Sequence, residues 1–278
     1  MYHLTKAGPQ RCRAVVRPCT AAQADHFVRM KDAVSAFENR LTVTERVALR
    51  KPNLKSYLRA TSEGVSVTAS RNRTIVLSDV DGTLVRGSLV LDHAVWLHTS
   101  GALSLGDAPE KWLADQKNEL IMVELAEAYR EAIRGKSLKD LQVHEFVKML
   151  VATEGKFYSA LDRLKAAHAD GHDVVLISGS PQFLVGAFAR NFGFTAIGSI
   201  YHRDAERRMN GLVTGMFGSE AKQRVIDKLD LSRYKNVIAY GDTASDLPLL
   251  RAANHSVLVD PSVETLERCG KVDEILLA

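Results

Sequence analysis

Two aspartates lie two residues apart in the segment Asp79-Val80-Asp81-Gly82-Thr83, directly after the apolar run Thr74–Ser78. If that run is a β-strand, both carboxylates stand at its carboxyl end, beside backbone amides that are free of the strand ladder. One carboxylate can then act as a nucleophile toward phosphorus and the other as an acid and base, next to a cation. An ordinary Asp-Gly turn explains the same residues, so the motif has to be weighed with the rest of the chain.

Three further groups of polar residues follow predicted strands or lie in loops at the same edge of the sheet. Ser178-Gly179 comes after the second predicted core strand, where a hydroxyl and free amides before a helix form a phosphate-binding corner. Asp242 and Asp246 follow the third strand, and carboxylate oxygens suit Mg²⁺. Lys222 supplies an ammonium that can neutralise phosphate and carboxylates. Each feature alone also fits a plain turn, a helix-terminal carboxylate or a surface lysine.

Together these motifs resemble those of the haloacid dehalogenase superfamily of phosphohydrolases. Order, spacing and predicted strand context agree for Asp79-Val-Asp-Gly-Thr-Leu84, Ser178, Lys222 and Gly241-Asp242-Thr-Ala-Ser-Asp246. The resemblance covers about residues 73–262, and residues 240–250 are similar to the branch that includes phosphoserine phosphatases. It implies a Mg²⁺-dependent phosphomonoesterase that acts on a small phosphorylated substrate.

The resemblance also implies the roles of the reacting groups. Asp79 would attack phosphorus, form an aspartyl-phosphate and bind Mg²⁺. Asp81 would protonate the leaving alcohol and then deprotonate the attacking water, while its backbone carbonyl binds the metal. Lys222 would stabilise charge on the nucleophile and on the phosphoryl group.

The remaining site residues would bind and orient. Ser178 and the Gly179 amide would hold phosphoryl oxygens, and Thr83 would belong to the same phosphate site and shape the turn after the nucleophile. Asp242 would be the third protein ligand of the metal, with Asp246 supporting it or the lysine from behind.

The elements that position these residues alternate between strands and helices after residue 73. Core strands are predicted at 74–78, 173–177, 236–240 and 256–259, and short strands at 194–201 and 212–216 around an Asn210-Gly211 turn. This alternation predicts an α/β fold with a Rossmann-like doubly wound parallel sheet. Ligands of such sheets bind beyond the carboxyl ends of the strands.

Between the first strand and residue 156 the pattern contains no strand. Helices are predicted there at 90–99, 109–115, 119–134 and 138–153. We therefore divide the chain into a basic, partly helical N-terminal extension (1–72) and a catalytic domain (73–278) with an inserted all-helical cap (88–153). A cap at this point would lie over the active-site edge and exclude water.

The predicted cap departs from what phosphoserine would require. Phosphoserine phosphatases carry a glutamate nine residues after the nucleophile, whereas this chain has Ser88 there. A neutral hydroxyl cannot pair with the substrate's ammonium as a carboxylate does. Arg130 and Arg134 are candidates for a carboxylate-binding arginine by neighbourhood alone. Serine phosphate is therefore not the expected substrate.

Aromatic and histidine side chains of the predicted cap allow two interpretations. Trp96, Trp112 and Tyr129 fit an apolar substrate pocket, but such aromatic residues more often pack the cap's own core. His93 and His98 are expected to be structural or exposed.

Composition places the chain among soluble globular proteins, since 46% of its residues are hydrophobic and 25% are charged. No apolar stretch approaches the ~20 residues that span a bilayer, and the N-terminus lacks a secretory signal pattern. Cys12, Cys19 and Cys269 give neither a disulfide framework nor metal-ligand spacing. A cytoplasmic location is expected.

The charge is unevenly distributed. Residues 1–73 hold 14 Lys/Arg and 5 Asp/Glu, a net of +9, whereas residues 74–278 hold 23 and 28, a net of −5. The basic region is compatible with nucleic acid, anionic lipid or an acidic partner, and also with a solvated extension, because no aromatic residues interleave with its charges.

Three functions follow from these patterns. They are the hydrolase, a phosphotransferase that passes the aspartyl-phosphate to an alcohol, and a binding protein that uses the basic region. The filled catalytic positions favour an enzyme. The pattern indicates no oligomeric state.

Overall fold

The computed structural model describes residues 73–116, 118–216 and 218–277. The predicted N-terminal extension (1–72), with Cys12 and Cys19, lies outside these residues, so its boundary and its partners stay predictions. None of the described helices has both the length and the apolar character that crossing a bilayer requires.

Seven strands form one sheet in the order β4-β3-β2-β1-β5-β6-β7. In chain order they are β1 Thr74–Ser78, β2 Asp173–Pro181, β3 Thr195–Arg203, β4 Met209–Thr214, β5 Asn236–Gly241, β6 His255–Val259 and β7 Glu274–Leu276. Every neighbouring pair is parallel except β3 and β4, which are antiparallel. The predicted α/β fold with a mostly parallel sheet is confirmed.

Nine α-helices occur among the described residues. They are α1 Leu89–Thr99, α2 Ala108–Ala114, α3 Glu119–Ala132, α4 Val143–Ala152, α5 Ala160–Ala169, α6 Gln182–Asn191, α7 Gly218–Ile226, α8 Leu247–Ala252 and α9 Val263–Cys269. The first four follow one another between β1 and α5 without a strand. We call residues 88–153 the helical insert. It rests on the sheet domain through contacts of α1 and α4 with α6.

Both faces of the central strand β1 are covered, which explains its continuous apolar sequence. Val76 packs in a cluster with Phe188 of α6, whereas Leu77 packs on the opposite face with Val225 of α7 and Leu249 of α8. This alternation follows from the two-residue period of a strand. The sheet is therefore doubly wound, as predicted.

The chain enters and leaves the helical insert along neighbouring paths. Arg86 N donates to Lys156 O at 2.8 Å, and Tyr158 N donates to Leu84 O at 3.0 Å. Val85 and Phe157 form an antiparallel bridge between these two hydrogen bonds. The two crossings are thus tied to each other as a short ribbon.

The predicted turn between the two short strands was wrong. Asn210 and Gly211 lie inside β4, and the turn spans residues 204–208 instead. Asp204 makes this turn because its side chain accepts from Arg208 N at 2.8 Å, while Arg207 takes a positive φ of 62°. The sequence pattern also missed α9 and β7, which are too short to show periodicity, and α4 begins only at Val143.

His93 shows how the insert holds its own core. Its ring is fully buried, with Nδ1 2.9 Å from the Tyr129 hydroxyl and Nε2 2.7 Å from Leu141 O. Burial lowers the pKa of His93 to about 4, so the ring is neutral near pH 7. A neutral ring with one donor and one acceptor satisfies both contacts. His93 and Tyr129 are therefore structural, while His98 lies at the surface beside Glu110.

Candidate active site

The predicted site residues meet at one edge of the sheet because their strands end there side by side. β1 pairs with β2 on one flank and with β5 on the other. Asp79 N donates to Tyr240 O at 3.1 Å, and this bond extends the hydrogen-bonded pairing of β1 with β5 as far as Asp79. The structure thereby brings together the motifs that follow β1 and β5.

Lys222 lies inside the site. It is 4% exposed, and its Nζ is 2.6 Å from Asp79 Oδ1 and hydrogen-bonded to Asp246 Oδ1. Burial by itself would lower the pKa of Lys222, but the carboxylates of Asp79 and Asp246 raise it above its ordinary value. The lysine is thus a buried, fully charged ammonium rather than a surface residue.

Asp246 is completely engaged by its neighbours. Its Oδ2 accepts from the backbone N–H groups of Asp242 at 3.1 Å and Thr243 at 3.0 Å, and from Thr243 Oγ1 at 3.2 Å. Its Oδ1 holds Lys222. These contacts form a capping box at the one-turn 3₁₀ helix Ala244–Asp246. Since both oxygens have partners, Asp246 is built to position the lysine and the loop after β5.

Asp79 and Asp242 keep oxygens that are less engaged. Thr83 Oγ1 donates to Asp242 Oδ1 at 2.8 Å and lies 3.5 Å from Asp79 Oδ2. No hydrogen bond to Asp242 Oδ2 occurs among the described residues. Gly82 has a φ of +84°, and a Cβ there would overlap the Asp242 carboxylate. Glycine is therefore needed both for the turn and for the close approach of this aspartate.

The site crowds negative charge into a buried volume. One carboxylate oxygen from each of Asp79, Asp242 and Asp246 lies within 4.8 Å of the others. Burial raises the pKa of Asp79 well above 3.8, with Lys222 opposing the shift. Burial and the charge of Asp246 raise the pKa of Asp242 to about 7. Three carboxylates facing one ammonium leave a place for a cation with hard oxygen ligands.

Asp81 is held by a second set of contacts. Its Oδ2 accepts from Ser178 Oγ at 2.7 Å, and its Oδ1 accepts from Ser180 Oγ at 3.1 Å and from Leu89 N at 2.6 Å. Register in β2 is irregular between residues 177 and 181, where the two serines lie. The sequence predicted that Ser178 faces a phosphate and gave no role to Ser180. The alternation Ser-Gly-Ser was the available signal, since residues two apart on a strand share a side.

Gly179 and the residues considered for substrate recognition have their described contacts outside the carboxylate cluster. Gly179 O accepts from Ser199 Oγ at 2.5 Å, which fixes the end of β2 against β3. Ser88 is the residue before α1, and its side chain caps no helix amide. Arg130 contacts Glu131, and Arg134 lies over Gly211 of β4. The described contacts of these arginines thus do not place them in the carboxylate cluster.

Asp242→Asn is expected to stabilise the metal-free protein at alkaline pH. The folded carboxyl keeps its proton up to about pH 7, whereas the unfolded one loses it near 3.8. Wild-type stability therefore falls as pH rises from about 4 to 7, and the asparagine variant lacks this loss. The unfolding free energy of the variant relative to the wild type should be larger at pH 8 than at pH 5 by about 3 kcal/mol. Thermal unfolding with a chelator at both pH values measures this difference.

Asp162→Asn is the control, because its side chain is 76% exposed on α5. This change should leave the pH dependence of unfolding as it is in the wild type. A lower stability of Asp242→Asn at pH 8 would show that the three carboxylates do not oppose one another in the folded protein.

A family model described as haloacid dehalogenase-like hydrolase matches residues 76–251. Among curated proteins, the chain is 30% identical over 129 residues to a probable phosphatase of Mycobacterium tuberculosis, covering 45% of this chain and 43% of that protein. It is 26% identical over 205 residues to a putative hydrolase of Mycobacterium leprae, covering 67% and 66%. The matched part thus spans less than half of the Mycobacterium tuberculosis relative.

Two solved structures show the same fold. A protein of unknown function from Bordetella pertussis superposes with a TM-score of 0.58 at 22% identity, covering 73% of this chain and 98% of that one. An apo phosphoserine phosphatase superposes with a TM-score of 0.51 at 15% identity, covering 74% and 94%. At these identities the likeness is one of architecture.

Proposed function

The chain belongs to the haloacid dehalogenase-like hydrolases, and from that membership we propose that it is a Mg²⁺-dependent phosphomonoesterase acting through an aspartyl-phosphate. The observation that carries the proposal is the buried contact of Lys222 with Asp79 and Asp246, with Asp242 alongside. Such a network at the carboxyl edge of a parallel sheet suits a nucleophile, a cation and a phosphate. The two mycobacterial relatives, a probable phosphatase and a putative hydrolase, support the same reaction class.

The residues present fit the metal. Asp79, Asp242 and Asp246 with Lys222 would carry a net charge of −2 if all were ionised, which a divalent cation balances. The carboxylates of Asp79 and Asp242 and the backbone carbonyl of Asp81 would hold Mg²⁺, while Asp246 is already engaged. When bound, the ion would neutralise charge on the phosphoryl oxygens.

Asp79 is the nucleophile of the proposal. Lys222 fixes Asp79 Oδ1 at 2.6 Å, which orients the carboxylate and favours its ionised form. An Asp79 oxygen bonds to phosphorus as the bond from phosphorus to the alcohol oxygen breaks. Asp81 must carry a proton when the ester binds, and it gives that proton to the leaving alcohol. Asp81 then takes a proton from water, which attacks phosphorus and releases inorganic phosphate and Asp79.

Asp81 has to change its hydrogen-bond partners before it can exchange a proton with the leaving alcohol or with water. Its carboxylate now accepts from Ser178, Ser180 and the Leu89 amide. Once Asp81 turns toward the leaving oxygen, the Ser178 hydroxyl is released and can donate to a phosphoryl oxygen. One rearrangement therefore serves both predicted roles. It also frees the first amide of α1, so the helical insert would respond to the same step and act as a lid.

Hydrolysis of 4-nitrophenyl phosphate tests the proposal directly. We expect release of inorganic phosphate in the presence of Mg²⁺ and loss of that release when a chelator removes the metal. Addition of glycerol distinguishes the phosphotransferase, because that enzyme would form glycerol phosphate at the expense of inorganic phosphate. Undiminished turnover in the chelator would contradict the metal's role.

A further inference from the structure

A cavity of about 270 Å³ lies among the helices of the helical insert. We propose that this cavity receives the organic part of the phosphate ester, and that this part is apolar and carries no charge of its own. The inference rests on the proposed function and names the class of substrate for that site. The volume of the cavity equals that of about nine molecules of liquid water, which is enough for a ring or a branched alkyl group.

The walls of the cavity are mainly aromatic and aliphatic. Trp96 of α1, Trp112 of α2 and Phe146 and Met149 of α4 face it from three helices. The ring centroids of Trp96 and Phe146 are 5.8 Å apart, and Trp96 stacks on buried His93 at 6.1 Å. Trp112 and Phe146 are themselves buried, so the rings form a rigid apolar wall that does not have to be ordered on binding. The two tryptophans therefore line a pocket.

Most polar side chains of the cavity have a partner within the protein. Thr99 Oγ1 and Thr153 Oγ1 each donate to a carbonyl of their own helix at 3.0 Å. Asp92 and Lys156 form an ion pair at 2.8 Å, with side chains 26% and 22% exposed. The remaining polar lining residue is Gln116. Among the described lining residues, the two charged side chains thus face each other as an ion pair.

This lining disfavours an amino-acid phosphate. Phosphoserine would bring an ammonium and a carboxylate into the cavity, and each would lose water without gaining an opposite charge. An apolar ring or alkyl group has no such cost and gains about 25 cal/mol for each Å² of surface that it buries. Ser88 at the start of α1 agrees, since it supplies no charge either.

The Asp92–Lys156 ion pair lines the cavity, and Asp92 lies on the helix whose first amide binds Asp81. The Leu89 amide binds Asp81, and Asp92 follows three residues later on α1, about 4.5 Å along the helix axis. A Cβ at Gly87 would lie 3.4 Å from Lys156 Nζ and 3.5 Å from Asp92 Oδ2. In this proposal, an ester whose leaving oxygen is at Asp81 extends its organic part along α1 to this cavity.

The chain provides a spectroscopic probe of the cavity, because its two tryptophans both line it. Benzylphosphonate, whose carbon–phosphorus bond resists hydrolysis, should shift the tryptophan emission to shorter wavelength and saturate as it displaces water from the indoles. 2-Amino-4-phosphonobutanoate, the charged counterpart, should leave the emission unchanged over the same concentrations. Both titrations use the full chain with Mg²⁺.

Two methionines give a matched pair of variants. Met149 lines the cavity and is 40% exposed, and Met122 of α3 lies outside the lining and is 39% exposed. Met149→Glu places a charge beside the ligand and should weaken benzylphosphonate binding at least tenfold. Met122→Glu makes the same chemical change at equal exposure and should alter binding less than twofold. The kcat/KM for phenyl phosphate should follow the same ranking.

The outcomes separate the two proposals. Saturable binding of benzylphosphonate without hydrolysis of any phosphate ester would overturn the proposed function and keep the cavity as a binding site. Hydrolysis of phenyl phosphate with no emission shift, or with equal effects of the two glutamate variants, would overturn the cavity as the substrate subsite. A tighter response to 2-amino-4-phosphonobutanoate than to benzylphosphonate would overturn the apolar class.

Discussion

Asp79→Asn is expected to reduce phosphate release by at least about 10⁴-fold while the protein stays folded. The amide has the shape of the carboxylate but lacks the nucleophilic oxygen, so the covalent step cannot occur. Enzymes accelerate such reactions by at least about 10⁶-fold, which leaves room to measure the loss. Folding is preserved because the change removes one of three crowded carboxylates, and Lys222 still pairs with Asp246. Steady-state hydrolysis and thermal unfolding, measured on the same preparation, check both statements.

Asp81→Asn is the matched variant, because it makes the same chemical change two residues away. It keeps the nucleophile but has no group to deprotonate the attacking water. With 4-nitrophenyl phosphate, which needs little help to leave, a phosphoryl group should accumulate on the peptide that contains Asp79. Acid quenching and mass spectrometry detect it. Label on Asp79→Asn, or substantial turnover by that variant, would exclude Asp79 as the nucleophile.

Lys222→Met is expected to lower both stability and activity. The methionine leaves Asp79 and Asp246 buried without their ammonium, and breaking a buried pair in this way costs about 3–5 kcal/mol of unfolding free energy. That corresponds to a fall in Tm of roughly 10 °C for a domain of this size. Loss of charge stabilisation at the phosphoryl group should lower kcat by at least about 10²-fold. Thermal unfolding without metal and steady-state kinetics measure the two effects.

The double variant Lys222→Met/Asp246→Asn separates stability from catalysis. Neutralising Asp246 removes one of the two buried carboxylates that the loss of Lys222 leaves unpaired. Much of the decrease in Tm should therefore be reversed, whereas activity should not recover. Lys222→Met with wild-type stability would show that the ion network contributes nothing to folding. Recovery of activity in the double variant would contradict a direct role of the lysine.

The chemistry of this edge could be predicted because it depends on residues at strand ends. A buried strand is recognised in the sequence by its continuous apolar run, and the polar residues after it must lie at the carboxyl edge of a parallel sheet. This placed the motifs after β1 and β5 together although Asp79 and Asp242 are far apart in the chain. The alternation of strands and helices also predicted that both faces of the sheet would be covered.

Other features depend on side-chain contacts that no local pattern reveals. Ser178 binds Asp81 because β2 continues irregularly past residue 177. The turn at 204–208 depends on the Asp204 side chain, and for that reason the turn predicted at Asn210-Gly211 was wrong. Whether Trp96 lines a pocket or fills the core was open, since the answer depends on how three separate helices pack.

The short ribbon where the chain enters and leaves the helical insert has a consequence for how such proteins diversify. The chain passes between the sheet domain and the insert at two adjacent crossings, where Arg86 is bonded to Lys156 and Tyr158 to Leu84. The nucleophile, the lysine and the carboxylates all lie outside those crossings. The Leu89 amide of the insert nevertheless binds Asp81. A different helical segment joined at this ribbon would therefore keep the nucleophile and the lysine, but it would have to supply its own donor to Asp81.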